Sequence, residues 1–152
     1  MKKELANPFM FKECFFCGTE NPDSLRLRFY WDEETLDVST ELSLPKRFAG
    51  QGKIIHGGFQ MGILDEIMGW TAVVLNKTMV VTSDTQVKFI KPLYVEEKIT
   101  AVSKLISVKG PKIRVAGELQ NAKGEVCTAA TGIYHIIPEN RFQSLINGEE
   151  RI

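Results

Sequence analysis

Residues 56–75 read HGGFQMGILDEIMGWTAVVL, and this stretch decides the fold. The large apolar residues that recur in it at steps of three and four are Phe59, Ile63, Ile67, Trp70 and Val74. That spacing is typical of one face of a helix. Other apolar residues fill the remaining faces, so the pattern predicts a helix over about 57–75 that is buried on nearly every side.

Segments with a period of two residues flank this helix. Before it, residues 25–31 and 36–44 alternate apolar and polar side chains around a turn at 32–34, as in an antiparallel hairpin with one wet face. After it, four more strands are predicted over 79–91, 95–108, 112–120 and 125–137. Short turns join the last three, which therefore form a meander.

The order of these elements indicates one α+β domain, because the strands are grouped apart from the helix. No linker or repeat divides the chain, so we expect a single domain over 1–152. Within it, residues 1–24 are expected to be irregular and residues 139–152 to form a tail or a short helix. A single sheet must curve to cover the helix. Its other face and its unpaired edges still need cover, which favours a homo-oligomer.

Composition argues against several classes of protein. Lys plus Arg and Asp plus Glu both number 19, and this zero net charge argues against nucleic-acid and anionic-membrane binding. No run of about 18 apolar residues is present to span a membrane. Three cysteines cannot form a disulfide framework, and no secretory signal is visible. We expect a cytoplasmic, reduced protein.

Two adjacent carboxylates, Asp65 and Glu66, interrupt the apolar helix and project about 100° apart. Asp65 lies on a line of small residues, here called the glycine stripe, formed with Gly58, Gly62, Gly69 and Ala72. Glycine inside a helix costs about 1 kcal/mol relative to alanine, so something must approach the backbone closely there. It is either a ligand that meets Asp65, or tight helix–sheet packing in which Asp65 pairs with a lysine.

The helix begins at His56-Gly57-Gly58. The first turn of a helix leaves backbone N–H groups without partners at the positive end of the dipole. Glycine lets a ligand oxygen approach those donors, as in an oxyanion hole. The alternative is a plain loop-to-helix junction in which His56 is a surface or capping residue.

Three blocks of sequence together resemble one known family: residues 56–58 with 64–66 and 69–70, residues 14–18 with 21–22 and 25–29, and residues 81–92. The family is the hotdog-fold acyl-CoA thioesterases, of the phenylacetate-degradation and 4-hydroxybenzoyl-CoA thioesterase types. The resemblance implies a curved antiparallel sheet wrapped around one long helix. It also implies a homodimer with two active sites at the interface, or a homotetramer of such dimers.

The same resemblance implies hydrolysis of an acyl-CoA thioester to the free acid and coenzyme A. The Gly57 N–H would polarise the thioester carbonyl, and Asp65 from the partner chain would act as general base or nucleophile. His56 would shape the helix start or contact the substrate. Glu66 is the alternative base.

Further residues are expected at the site. By the resemblance, Gln51 lies in the loop where some relatives carry an Asn and is its candidate substitute, and Thr82 lies where relatives carry a supporting Ser or Thr. Gly58 and Met61 are expected to contact the substrate. The strand of Thr82 is polar on both faces, which indicates either a wet cavity or an edge strand facing solvent. The basic residues expected to contact the phosphates of coenzyme A, or else to form a solvated face, are Lys88, Lys109, Lys112 and Arg114.

Neither a cofactor nor a metal is expected. Cys14 and Cys17 have the spacing of half a tetrahedral zinc site, but the sequence supplies no second pair, so we expect packed thiols. Cys127, in a strand, is expected in the core. Two alternatives remain open for the function: a hotdog dehydratase or hydratase, and a non-catalytic acyl-CoA binding or sensing protein that would not need Asp65.

Overall fold

The computed structural model describes residues 1–7 and 11–150, which form one seven-stranded antiparallel sheet around a long helix. The elements in chain order are β1 Lys2–Glu4, β2 Tyr30–Asp32, β3 Asp37–Leu42, α1 Gly57–Asn76, β4 Val80–Phe89, β5 Ile99–Lys109, β6 Lys112–Gln120, β7 Val126–Ile136 and α2 Glu139–Ile146. The strand order is β1-β2-β3-β5-β6-β7-β4. The predicted α+β architecture, with a curved sheet covering one central helix, is confirmed.

Helix α1 forms the core of the molecule. The side chains of Ile63, Leu64 and Ile67 are fully buried against the sheet. Trp70 packs on Phe29, with ring centroids 4.6 Å apart. The helix ends at Asn76 because Lys77 takes a left-handed backbone conformation, so the predicted bounds are right to within a residue. In the described part of the chain, no helix is long and apolar enough to cross a membrane.

A polar side chain also fixes the helix in the sheet. Gln60 is buried, its amide donates to the Ile55 carbonyl at 2.9 Å, and its oxygen accepts from the Thr128 hydroxyl. A buried amide without partners would be costly, so the hydrogen bond between Gln60 and Thr128 fixes the start of α1 against β7.

The predicted meander is present, since β5, β6 and β7 pair in sequence. Strand β5 begins at Ile99, not at the predicted Val95, because Glu96 has a φ of 64° that an extended strand does not allow. Strand β4 pairs only with β7 and lies at the edge of the sheet. In the single chain, the edge interpretation of the polar strand around Thr82 is therefore right.

The predicted strand over 25–31 is mostly wrong, because only Tyr30–Asp32 forms ladder pairs there. Arg26 has a φ of 51°, and the N–H groups of Leu25 and Leu27 donate to the carbonyls of Phe15 and Phe16. The alternation of this stretch reflects burial of Leu27 and Phe29, not a strand.

Both ends of the chain contain regular secondary structure. Lys2–Glu4, in the segment expected to be irregular, pairs with β2. Of the two alternatives for residues 139–152, a short helix forms over Glu139–Ile146 and buries Phe142.

Candidate active site

Asp65 lies half-buried in the middle of α1, where two hydroxyls hold its carboxylate. The Tyr134 hydroxyl, from β7, lies 2.9 Å from Oδ1 and 3.1 Å from the Asp65 carbonyl oxygen. The Thr82 hydroxyl, from edge strand β4, donates to the same Oδ1 at 2.9 Å. Within residues 1–7 and 11–150 no cation pairs with Asp65. The lysine partner of the packing alternative is thus not found there, and two neutral donors hold the carboxylate instead.

One glycine of the stripe, Gly62, is required by an aromatic ring of the same chain, and Gly69 is not. A Cβ at Gly62 would lie 2.3 Å from Cζ of Phe16, and one at Gly69 would lie 3.7 Å from Cε1 of Tyr134. Gly62 therefore accommodates the N-terminal segment. The packing interpretation of the stripe is right at this position, and the ligand interpretation is not.

At the start of α1, His56 is the N-cap residue. Its Nδ1 accepts a hydrogen bond from the Gly58 N–H at 2.9 Å, so the capping interpretation is right. The Gly57 N–H has no acceptor among the described residues. A Cβ at Gly57 would lie 3.1 Å from Cζ of Phe89, so an alanine there needs a shift of a few tenths of an ångström in that exposed ring. One backbone donor is thus available at the positive end of the helix.

Gly57 and Asp65 are separated by eight residues of one helix, a rise of about 12 Å. A reacting carbonyl must lie about 3 Å from both its donor and its base or nucleophile. A single chain therefore does not bring its own Gly57 N–H and Asp65 carboxylate to one substrate atom.

Apolar side chains are exposed beside the helix start. Phe89 and Ile90, at the end of β4, are 55% and 56% exposed, and Met61 on α1 is 42% exposed. Gly58 is exposed as well. Gln51 lies in the exposed turn at 50–53, and its backbone carbonyl accepts a hydrogen bond from the Ile54 N–H. No described contact brings the Gln51 side chain to Asp65.

Glu66 lies in different surroundings from its neighbour Asp65. Its Oε1 accepts the Trp70 Nε1–H at 3.1 Å and lies 3.7 Å from Sγ of Cys14. Burial raises the pKa of Glu66 to about 7. The carboxylate expected as the alternative base therefore contacts the N-terminal segment, away from Thr82 and Tyr134.

Sequence reasoning missed two features of this region. The first is Tyr134, whose buried place in β7 was a usable signal, since a buried tyrosine hydroxyl needs a partner. The second is the contact of Glu66 with Cys14, 52 residues away, which no local pattern reveals. Cys127 is buried as predicted.

The basic residues divide into two places. Lys109, Lys112 and Arg114 line a groove of about 500 Å³ together with Ile106 and Ile133. Lys88 lies elsewhere. Arg114 is level with Ile133 and Asp84 across the sheet. Lys88 is four residues beyond Asp84 on β4, about 13 Å further along the strand direction. Within one chain the three residues expected around the turn at 110–111 share a groove, and Lys88, expected on another strand, is apart from them.

A family model for the thioesterase superfamily matches residues 52–128, about half of the chain. The chain belongs to the thioesterase superfamily. No curated protein matches it. The matched window of this superfamily member contains Gly57, Asp65 and Thr82, and it ends before Tyr134.

Solved structures share the fold. A structure described as a thioesterase superfamily protein is 25% identical with a TM-score of 0.75, and the match covers 82% of this chain and 60% of that one. This chain thus spans less than two thirds of that relative. A hypothetical thioesterase from Streptococcus pneumoniae with coenzyme A is 16% identical over 66% of this chain and 80% of that one, with a TM-score of 0.63. The E. coli PaaI protein from the phenylacetic acid degradation operon is 15% identical over 67% and 73%, with a TM-score of 0.62.

Proposed function

We propose that this member of the thioesterase superfamily hydrolyses an acyl-CoA thioester to the free acid and coenzyme A. The observation that carries the proposal is the Asp65 carboxylate, held at Oδ1 by the hydroxyls of Tyr134 and Thr82. Both donors bond one oxygen, and Oδ2 has no donor among the described residues. A carboxylate with one oxygen fixed and the other open can take a proton from water or attack an acyl carbon.

The active site is shared between two copies of the chain. The Gly57 N–H of one protomer binds the thioester oxygen, and Asp65 of the other supplies the carboxylate. The separation of about 12 Å along α1 supports this arrangement, because one protomer cannot supply both groups to the same carbonyl. Each dimer then contains two equivalent sites.

Strand β4 supplies the dimer contact in this proposal. It is ten residues long and has one unpaired side, whereas the opposite edge strand, β1, has only three residues. A long unpaired edge is a template for pairing with a second chain. The exposed Phe89, Ile90 and Met61 beside it would be covered by the partner, which favours a homodimer over a monomer.

The reaction follows from these groups. As negative charge develops on the thioester oxygen, the Gly57 N–H and the positive end of α1 stabilise it. Asp65 removes a proton from the attacking water, or attacks the acyl carbon itself to give an anhydride that water then opens. The C–S bond breaks, a proton reaches the sulfur, and the products are a carboxylic acid and the thiol of coenzyme A.

The groove of Lys109, Lys112 and Arg114 binds the phosphates of coenzyme A in this account. Three cations at one groove suit a polyanionic ligand, and the coenzyme A present in the streptococcal neighbour supports that ligand class. Lys88 is left out of this group because of its place on β4.

The test is thiol release from short, medium, long and aromatic acyl-CoAs by the wild type and by Asp65→Asn. Asparagine keeps the shape and loses the base, so we expect a loss of at least ~100-fold in kcat. Asp23→Asn, at an exposed loop position, is the matched control and should keep full activity. If the wild type binds acyl-CoA but hydrolyses none, the proposal fails in favour of a binding or sensing protein. If Glu66→Gln is inactive while Asp65→Asn is active, the assignment of the carboxylate is wrong.

A further inference from the structure

The sulfur atoms of Cys14 and Cys17 converge with the carboxylate of Glu66 on one point between the N-terminal segment and α1. The three potential ligand atoms all lie within 4.8 Å of one another. The distance from Cys14 Sγ to Glu66 Oε1 is 3.7 Å. For zinc bound by two thiolates and a carboxylate, tetrahedral geometry places neighbouring ligand atoms about 3.5–3.8 Å apart. The cluster is therefore close to the size that a metal ion requires.

The loop around the cysteines is shaped as a tight knuckle. The Cys17 N–H points at Cys14 Sγ, 3.4 Å away, and the Gly18 N–H donates to the Cys14 carbonyl at 2.8 Å. A Cβ at Gly18 would lie 2.4 Å from that carbonyl oxygen, so only glycine permits the turn. The backbone thus holds both sulfurs on the same side of the loop.

The third ligand is oriented from α1. The indole N–H of Trp70, one turn after Glu66, donates to Oε1 at 3.1 Å. A hydrogen bond of this kind fixes a ligating carboxylate and is a regular part of metal sites.

No described cation lies in an ion pair with the cluster. In the part of the chain that the structure describes, no Lys, Arg or His forms an ion pair with Glu66. Cys17 is buried and Cys14 and Glu66 are half-buried. Three acidic groups therefore share a poorly solvated place, where either protons or a cation must neutralise them.

We propose that Cys14, Cys17 and Glu66 bind a thiophilic divalent cation, with Zn²⁺ preferred, which fastens the N-terminal segment to α1. Thiolate sulfur selects zinc over magnesium or calcium. On binding, the thiols release their protons and the sulfurs bond the metal. A water completes the tetrahedron. The Asn7 amide N–H donates to Cys17 Sγ at 3.8 Å and supports that sulfur from outside the ligand set. The site is structural, since Phe16 between the two cysteines packs over Gly62.

The experiment titrates Co²⁺ into the reduced, metal-free full chain and follows the thiolate-to-cobalt absorption, then adds Zn²⁺ as competitor. We expect one equivalent per chain, displacement by Zn²⁺, and a melting temperature that falls when EDTA removes the metal. Cys14→Ser and Cys17→Ser should weaken binding by more than the ~10- to 100-fold that loss of an outer-shell partner costs. Cys127→Ala, a buried cysteine outside the cluster, is the control and should bind like the wild type.

Several results would overturn the proposal. The absence of thiolate–cobalt absorption in the reduced wild type would rule out the metal site. A Cys14–Cys17 disulfide in the protein as purified would then indicate a redox pair, and free thiols would indicate packed cysteines. Equal binding by Glu66→Gln and the wild type would remove the carboxylate from the ligand set. These readouts do not depend on hydrolase activity, so they fail or succeed independently of the proposed function.

Discussion

Tyr134 connects the last strand of the sheet to the middle of the central helix, because its hydroxyl lies 2.9 Å from Oδ1 of Asp65. The phenol is buried, and burial beside the carboxylate raises its pKa far above the ordinary value. Tyr134 therefore stays protonated and acts only as a donor to Asp65. The position of the Asp65 carboxylate therefore depends on the sheet as well as on the helix.

Replacing Tyr134 with Phe should lower kcat for thioester hydrolysis by about 10- to 100-fold, since a hydrogen bond to a charged group contributes about 1.5–3 kcal/mol. The ring remains, so the fold is kept and KM changes little. Steady-state kinetics measures both constants. Tyr94→Phe, at an exposed tyrosine, is the control. An unchanged kcat in Tyr134→Phe would show that Asp65 does not need this donor.

Two glycines of the same helix should respond oppositely to alanine. At Gly69 the nearest atom is 3.7 Å from the new Cβ, so Gly69→Ala should be neutral or stabilise by up to about 1 kcal/mol. At Gly62 the Cβ would lie 2.3 Å from Phe16, so Gly62→Ala should destabilise by about 1–3 kcal/mol. Urea denaturation gives both free energies of unfolding. Equal stabilisation by the two variants would contradict the packing of Phe16 on α1.

Removing the basic groove should raise KM and leave kcat nearly unchanged. For Lys112→Ala/Arg114→Ala we expect a rise in KM of at least about 10-fold, because two charge-assisted contacts to phosphate are lost. Added salt should reduce the difference from the wild type, since it screens exposed charges. Lys123→Ala, in the exposed turn between β6 and β7, removes the same kind of charge elsewhere. A fall in kcat at constant KM would mean that the groove does not bind the substrate.

The sequence predicts those elements in which the spacing of apolar residues along the chain matches the face that is buried. The period of α1 and the alternation of β4–β7 locate those elements, and Asp65 stands out because a carboxylate interrupts an apolar helix. The segment at 25–29 misleads because burial of Leu27 and Phe29 imitates a strand, while Arg26 breaks the extended backbone.

Contacts between distant segments are beyond such patterns. Cys14 with Glu66, and Tyr134 with Asp65, are 52 and 69 residues apart in the chain. Each depends on how the sheet curves over α1. The register of β4 on β7 likewise separates Lys88 from the groove of the other three basic residues.

The central claim is that Gly57 of one protomer and Asp65 of its partner form one site. Gly57→Pro removes the N–H, and proline suits the first helical position, with His56 at a ψ of 133° that proline tolerates in its predecessor. Gly57→Ala keeps the N–H and adds the same Cβ beside Phe89, so it is the matched control. Gly57→Pro and Asp65→Asn should each be nearly inactive as homodimers.

The decisive measurement is thiol release by a heterodimer of Gly57→Pro and Asp65→Asn chains, isolated through two different affinity tags. One of its two sites combines an intact Gly57 with an intact Asp65 from the other chain, so we expect about half of the wild-type activity. A heterodimer as inactive as the two homodimers would contradict the shared site.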